Sequence, residues 1–448
     1  MPACCIAIIH LKSAYVNISP QLWCGTAVVW NERDILMTIY IAMLAGALAL
    51  MPLCSDIFGK KGRAVYCAVM GAAFIFISAL RFRVGYDYDI YATEFCKMQL
   101  FEAEDVSLMK MEKGFLFPML IINGVSDSYV TVFVITSLII YSVIFYLIYK
   151  NSSSPWISTA AFLCFGLYFN TLCFLRQVMA ALVVLYALKY MKEKFSLRFF
   201  VLIFAAACFH WSALIMVPLY FMLKIKPSWG YLGTVSGLTV IFCIFSRKAM
   251  FWIINHVELY KNYDPDTNPE ASVGLSPKYT IMFGLLFLVC FIFRERIIKR
   301  NAMNSVYLNC FMYAVVFEAM GMRHGILSRF SIIVFFPVFL YLIPDAVLSV
   351  KEFIEEKFRS KKKRQTVMRA SAVLAAFYAG ASFIMLLAGN YNGVVPYMSY
   401  IDRPYDVNYD ALAYEEAEEE AEQADEAADD TELSDTEAAD EPAAVSAG

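Results

Sequence analysis

Apolar runs of bilayer-crossing length alternate with short polar connections along most of the chain. A helix rising 1.5 Å per residue needs about 20 apolar residues to cross a hydrocarbon core of about 30 Å. Runs of this kind lie near 38–54, 64–80, 128–149, 156–173, 177–191, 231–246, 278–293, 303–321, 328–349 and 368–389. Two apolar pieces are harder to place. "GFLFPMLIINGV", 114–125, is too short to cross, and 199–223 is long enough for one helix but carries His210 in its middle. Basic loops favour the cytoplasmic side. "GKKGR" (59–63), "KYMKEKFSLR" (189–198), "RERIIKR" (294–300) and "KEFIEEKFRSKKKRQ" (351–365) are all basic. With 114–125 left uncrossed, they share one side if 199–223 dips in and returns, or makes two short crossings. The pattern therefore predicts a break near His210, with Lys224 and Lys226 back at the cytoplasmic face. Non-helical backbone at that depth is tolerated only where protein or water covers it, and transporters place their sites at such breaks. The expected fold class is all-α, a polytopic integral membrane protein. It has about 10–12 transmembrane helices, a broken or re-entrant segment near His210 and long extracytoplasmic loops.

Composition adds a charge asymmetry to this picture. The 448 residues are 60% hydrophobic and 17% charged, against about 25% charged and about 45–50% apolar in soluble domains. Asp410 to Gly448 holds 16 acidic residues and no Lys or Arg, which leaves 37 basic against 24 acidic residues in the rest. The membrane part is basic, and an acidic tail masks it in the net charge of −3. Such a tail cannot bury a core and is expected to be disordered. Three parts follow: an N-terminal extension at 1–36, with Met37 as a candidate true start; a membrane domain at 37–400; and an extracytoplasmic acidic tail at 401–448.

The twelve cysteines form no C-x-x-C pair, and most lie inside apolar runs as small core residues do. His10, His210, His256 and His324 lack the spacing of a histidine zinc site. No cofactor, metal or nucleic acid is expected.

The chemistry gathers at the outer ends of the runs. Arg176 and Gln177 sit between two apolar runs, near Tyr168 and Asn170. A charge at the bilayer centre costs roughly 2.5–3.5 kcal/mol on insertion scales. Arg176 either snorkels to the headgroups or binds an anionic group, for which its planar fork suits phosphate oxygens. "ALRFRVGYDYDIYATEF" (79–95) puts Arg81 and Arg83 beside Asp87, Asp89 and Tyr91. These residues pair locally or form a mixed site, Arg for phosphate and Asp for a sugar hydroxyl or a proton. His210, beside Trp211 and Ser212, either bonds a neighbouring helix or acts as a base or phosphate contact. Arg329 enters a span with no acid near it in sequence, and Glu112 precedes the short apolar piece. Arginines from three places, Arg81, Arg176 and Arg329, are thus expected to converge on one side of the membrane around a polyanionic, lipid-borne substrate.

These residues resemble the EpsG family of Wzy-like polysaccharide polymerases. The matching pieces are "LRFRVGYDYDIY" (80–91), "EKGF" (112–115), "FNTLCFLRQVMA" (169–180), "AAACFHWSAL" (205–214), "SRF" (328–330) and "GVVPYMSY" (393–400). The resemblance covers about 38–400, departs at Tyr86 where the family commonly has Thr, and leaves out residues 1–36 and the tail. It implies a multi-pass glycosyltransferase of the cell membrane, without a nucleotide-sugar site, joining oligosaccharide repeat units carried on undecaprenyl pyrophosphate. Arg81, Asp87, Arg176, Gln177, His210 and Arg329 fall on the family's motif positions. His210 or Asp87 would be catalytic, and Arg81, Arg176, Gln177, Arg329, Asn170 and Glu112 would hold pyrophosphate or glycan. A flippase and a chain-length regulator of the same pathway are candidate partners. The competing readings are a flippase or transporter of lipid-linked oligosaccharide and a membrane acyltransferase using the histidine.

Overall fold

The computed structural model describes residues 27–100, 111–256 and 276–401. The helices, in order, are α1 Ala27–Ala49, α2 Gly59–Ala79, α3 Tyr88–Leu100, α4 Lys113–Asn123, α5 Val130–Asn151, α6 Pro155–Cys164, α7 Leu167–Cys173 and α8 Leu175–Ala187. They continue as α9 Leu197–Ala207, α10 Met216–Met222, α11 Trp229–His256, α12 Pro277–Ile292, α13 Arg294–Arg300, α14 Asn304–Gly321, α15 Gly325–Pro337, α16 Ile343–Lys357 and α17 Lys361–Ala388. Among the described residues there is no strand, only an isolated antiparallel bridge between Arg81 and Ser399.

Among the described residues four stretches are long and apolar enough to cross a membrane: α2, α5, α17, and α15–α16 joined through a π turn at Val338–Leu342. The bent pair α6–α7 is a fifth, and shorter apolar helices include α4, α9 and α12. Lipid supplies no hydrogen bonds, so spanning backbone must satisfy itself, as a helix does. Large apolar side chains such as Phe76, Leu374 and Phe377 face outward, as contact with acyl chains requires.

Every apolar run read from the sequence is helical, with three differences in detail. The run at 156–173 is not one helix. It bends by 63° between α6 and α7, because Gly166 adopts φ 78°, a left-handed conformation that ends the helical path. The helix α1 begins at Ala27, so it runs through the expected boundary at 36/37, while its apolar part is Met37–Ala49. α11 extends to His256, ten residues beyond the apolar run expected at 231–246. The acidic tail from 402 lies outside the described residues, as do residues 1–26.

The core forms where α2 lies along α5 and α14 along α15. Phe74 of α2 packs at 4.8–5.9 Å against Tyr168, Phe145, Phe162 and Tyr141. At one end, α13 is tied to α16. Arg300 donates to Asp345 at 3.2 Å and to Glu352, and Arg296 donates to Glu356 at 2.6 Å. Two of the four basic loops therefore meet at one end of the helices.

The predicted break is present. α9 stops at Ala207, His210 is extended (φ −162°, ψ 126°), a 3-10 turn follows at Trp211–Ile215, and α10 returns. The base of this hairpin is closed. Lys224 Nζ donates to the carbonyls of Glu193 at 2.6 Å and Lys194 at 2.9 Å, and the Ser196 N–H donates to Tyr220 OH at 2.9 Å. Lys224 thus returns to the level of the basic loop 189–198. An arm of 11 residues is about 16 Å long, roughly half the hydrocarbon thickness. The segment dips in and turns back, and His210 rides at its tip.

Candidate functional site

The tip of the hairpin is met by the N-terminus of α4. The Gly114 N–H donates to the Cys208 carbonyl at 2.9 Å. A Cβ on Gly114 would lie 2.5 Å from that oxygen, so only glycine allows the approach. Contact at Gly114 fixes Glu112 two residues earlier. Glu112 occupies the N-cap position of α4 without capping it. Its carboxylate instead accepts from Arg176 Nη1 at 2.5 Å and from the Trp211 N–H at 3.4 Å, with Oε1 4.0 Å from His210 Nε2.

Arg176 and Gln177 stand in the first turn of α8. The Arg176 N–H donates to Tyr91 OH at 3.4 Å, and Arg176 Nε is buried without a partner among the described residues. Gln177 is buried, and its Nε2 donates to Ser212 Oγ at 3.1 Å and to the Arg329 carbonyl at 2.6 Å. One amide thereby links α8, the hairpin and α15. The Arg329 guanidinium lies 5.0 Å from the centroid of the Phe174 ring, and no acceptor is hydrogen-bonded to it among the described residues.

Asp87 lies in the turn before α3, half-buried. Burial pushes its carboxyl up from the usual range, against the pull of Arg329 and Arg176. The charges of Glu112, Arg176 and Arg329 also fall on His210. Asp89, two residues on, is used differently: Arg83 clasps it through Nε at 3.1 Å and Nη2 at 2.9 Å in solvent. Local pairing therefore accounts for Arg83, and Asp87 is left to the cluster.

Six of the eight candidates come together: Asp87, Glu112, Arg176, Gln177, His210 and Arg329. Two do not. Arg81 is 1% exposed and turns into the α2–α5 interface, where Nη1 donates to the Ser78 carbonyl at 2.6 Å and the guanidinium lies 4.7 Å from the Phe133 centroid. The expected convergence of three arginines thus reduces to two. Arg81 closes the end of α2, and helix packing draws it inward. Asn170 is buried and accepts from Asn392 Nδ2 at 2.6 Å. It anchors the segment after α17 and does not reach Arg176.

That segment holds the loop beside the cluster, a structural place the sequence reading did not give it. From Asn390 to Tyr400 it straps the loop that carries Asp87. Gly85 N–H donates to Gly393 O at 3.0 Å, Tyr86 N–H to Asn392 O at 3.3 Å, Phe82 N–H to Met398 O at 2.9 Å, and Tyr400 N–H to Leu80 O at 2.7 Å. Its only sequence signal is the motif "GVVPYMSY". Ser212 is a second missed residue, and its signal is its place two positions after His210 at a predicted break.

The model of the EpsG family matches residues 64–399. The chain belongs to the EpsG family. Neither a curated protein nor a solved structure matches the chain. The EpsG match contains all eight candidate residues and reaches Ser399, the partner of Arg81 in the isolated bridge. As an EpsG family member with several apolar helices, the chain is a multi-pass membrane protein of polysaccharide-polymerase-like type.

Proposed function

We propose that this protein is a glycosyltransferase that polymerises oligosaccharide repeat units, carried on a lipid diphosphate such as undecaprenyl pyrophosphate, at the outer face of the cell membrane. The observation that carries this reading is the meeting of Arg176, Arg329, Glu112, Asp87 and His210 from five separate segments at the tip of a half-depth hairpin. Among the described residues Arg176 Nε is a buried donor without an acceptor, which a ligand oxygen would complete. Diphosphate oxygens would meet Arg329 directly and compete with Glu112 for Arg176, in the planar geometry that guanidinium favours.

In the reaction, the acceptor sugar's hydroxyl oxygen bonds to the anomeric carbon of the donor glycan. The bond from that carbon to the diphosphate oxygen breaks, and its electron pair leaves with the lipid diphosphate. The hydroxyl proton goes to Asp87, whose raised carboxyl suits proton acceptance better than an ordinary one. The arginines stabilise the charge that grows on the leaving group, and the hairpin tip holds donor and acceptor ends together.

The test is purified protein with a synthetic lipid-linked repeat unit, scored for elongation. Wild type lengthens the glycan and Arg176→Ala does not. Movement of the unit between leaflets without any lengthening would replace this reading with a flippase.

A further inference from the structure

The hydrogen bonds behind His210 decide which of its nitrogens carries the proton. The Ser212 backbone N–H lies 3.1 Å from Nδ1 and can only donate. Ser212 Oγ lies 2.7 Å from the same nitrogen. That hydroxyl already receives Gln177 Nε2 at 3.1 Å. Gln177 cannot be turned around, because its Nε2 also faces the Arg329 carbonyl at 2.6 Å, which can only accept. Because the backbone N–H already makes Nδ1 an acceptor, the Ser212 hydroxyl, accepting from Gln177, gives its own proton to Nδ1. A neutral imidazole whose Nδ1 accepts carries its hydrogen on Nε2. Nε2 points toward Glu112 Oε1 at 4.0 Å, beyond hydrogen-bond range. Glu112 therefore does not take the Nε2 hydrogen, which is left for a ligand oxygen approaching from beside that line, next to the Arg176 fork that Glu112 engages.

We propose that Ser212 and Gln177 hold His210 as the Nε2–H tautomer, so that His210 donates a hydrogen bond to an oxygen of the lipid diphosphate and does not take the acceptor's proton. The inference rests on the polymerase reading for the identity of that oxygen, and it leaves proton acceptance to Asp87. Ser212 and Gln177 are positioning residues here, since each acts through the ring. The charged groups facing the ring are Glu112 before α4, Arg176 on α8 and Arg329 on α15.

Two measurements test this. The first is nitrogen NMR of ¹⁵N-histidine-labelled protein in lipid nanodiscs, with the His210 signal identified by its loss in His210→Gln. The expected spectrum has hydrogen on Nε2 and an accepting Nδ1 whose resonance moves in Ser212→Ala and returns in Ser212→Thr. Hydrogen on Nδ1 would overturn the proposal. The second is elongation of the lipid-linked repeat unit. A glutamine amide can present an N–H near the place of Nε2–H but cannot serve as a base. His210→Gln should keep activity within about tenfold of wild type while His210→Ala loses about 100-fold or more, the scale of a lost oxyanion donor. Equal, severe losses in both would overturn the donor role. The nitrogen spectrum reads the tautomer whether or not the protein elongates glycan, so failure of the polymerase reading is told apart from failure of this one.

Discussion

Gly114→Ala separates the contact that builds the site from the residues that act in it. Gly114 lies outside the charge cluster, and its role is to let α4 touch the hairpin tip. The new Cβ would stand 2.5 Å from Cys208 O, 2.7 Å from Cys208 C and 2.9 Å from Cys208 Cβ. Ordinary contact begins at 3.4 Å, so the two backbones must part by about 0.9 Å. The obstacle is backbone, not the end of a flexible side chain, and cannot swing aside. The 2.9 Å bond from Gly114 N–H to Cys208 O is stretched beyond use. Overpacking of about 1–3 kcal/mol and a lost hydrogen bond of about 1 kcal/mol set the stability cost. The larger effect is on geometry. Glu112 moves with Gly114 while His210 and Trp211 move with Cys208, so the 3.4 Å and 4.0 Å separations across the tip both open. A misplacement of about 1 Å is worth roughly 100-fold in rate. The assay is elongation of lipid-linked repeat unit by purified variant, with the thermal midpoint measured in the same detergent. Gly124→Ala, at the far end of α4, is the control, because its Cβ would meet only ordinary contacts at 3.6 and 3.7 Å. Full elongation by Gly114→Ala with an unchanged midpoint would refute the claim that this contact positions Glu112 against the tip.

Other expectations follow from the same geometry. Arg176→Lys keeps a positive charge but loses the planar fork, and polymer formation should drop severely; wild-type glycan lengths in this variant would count against a bidentate diphosphate contact. Asp87 as proton acceptor must be ionised, so elongation should rise with pH through an acid limb set by its carboxyl. Burial raises that carboxyl, so the limb lies above the ordinary value of about 3.9. Removing the Arg329 charge, which holds the carboxyl down, should move the limb to still higher pH in Arg329→Met; a limb that stays in place would remove Asp87 from the role. Inorganic pyrophosphate should compete with donor lipid in wild type. Its affinity should fall in Arg329→Met but not in folded Arg81→Met, since Arg81 faces Ser78 and Phe133 away from the cluster. A matching loss in Arg81→Met, measured as an inhibition constant, would return Arg81 to the site.

The sequence by itself determined the helices and the level to which the chain returns after His210. Both depend on the bilayer as solvent: apolar runs must satisfy their own backbone as helices, and basic loops sort to one side. Those properties belong to short stretches and can be summed along the chain. Charge sorting was enough to expect the hairpin that Lys224 closes at Glu193 and Lys194. The bend at Gly166 was not legible in the same way, because a glycine inside an apolar run reads equally well as unbroken helix.

Only the tertiary structure decided which charges meet. Arg81 and Arg176 look alike in sequence, each adjoining an apolar run. One is taken into the α2–α5 interface by Phe133, and the other is turned to Glu112, 64 residues away. Asn170 seemed to belong to Arg176, but its partner is Asn392, 222 residues on. Gln177 joins Ser212 and Arg329 across separations of 35 and 152 residues. Such pairings are set by how helices pack against one another, through close approaches such as Gly114 on Cys208. No local preference of either partner encodes that packing, so residue types alone could name the members of the site but not its arrangement.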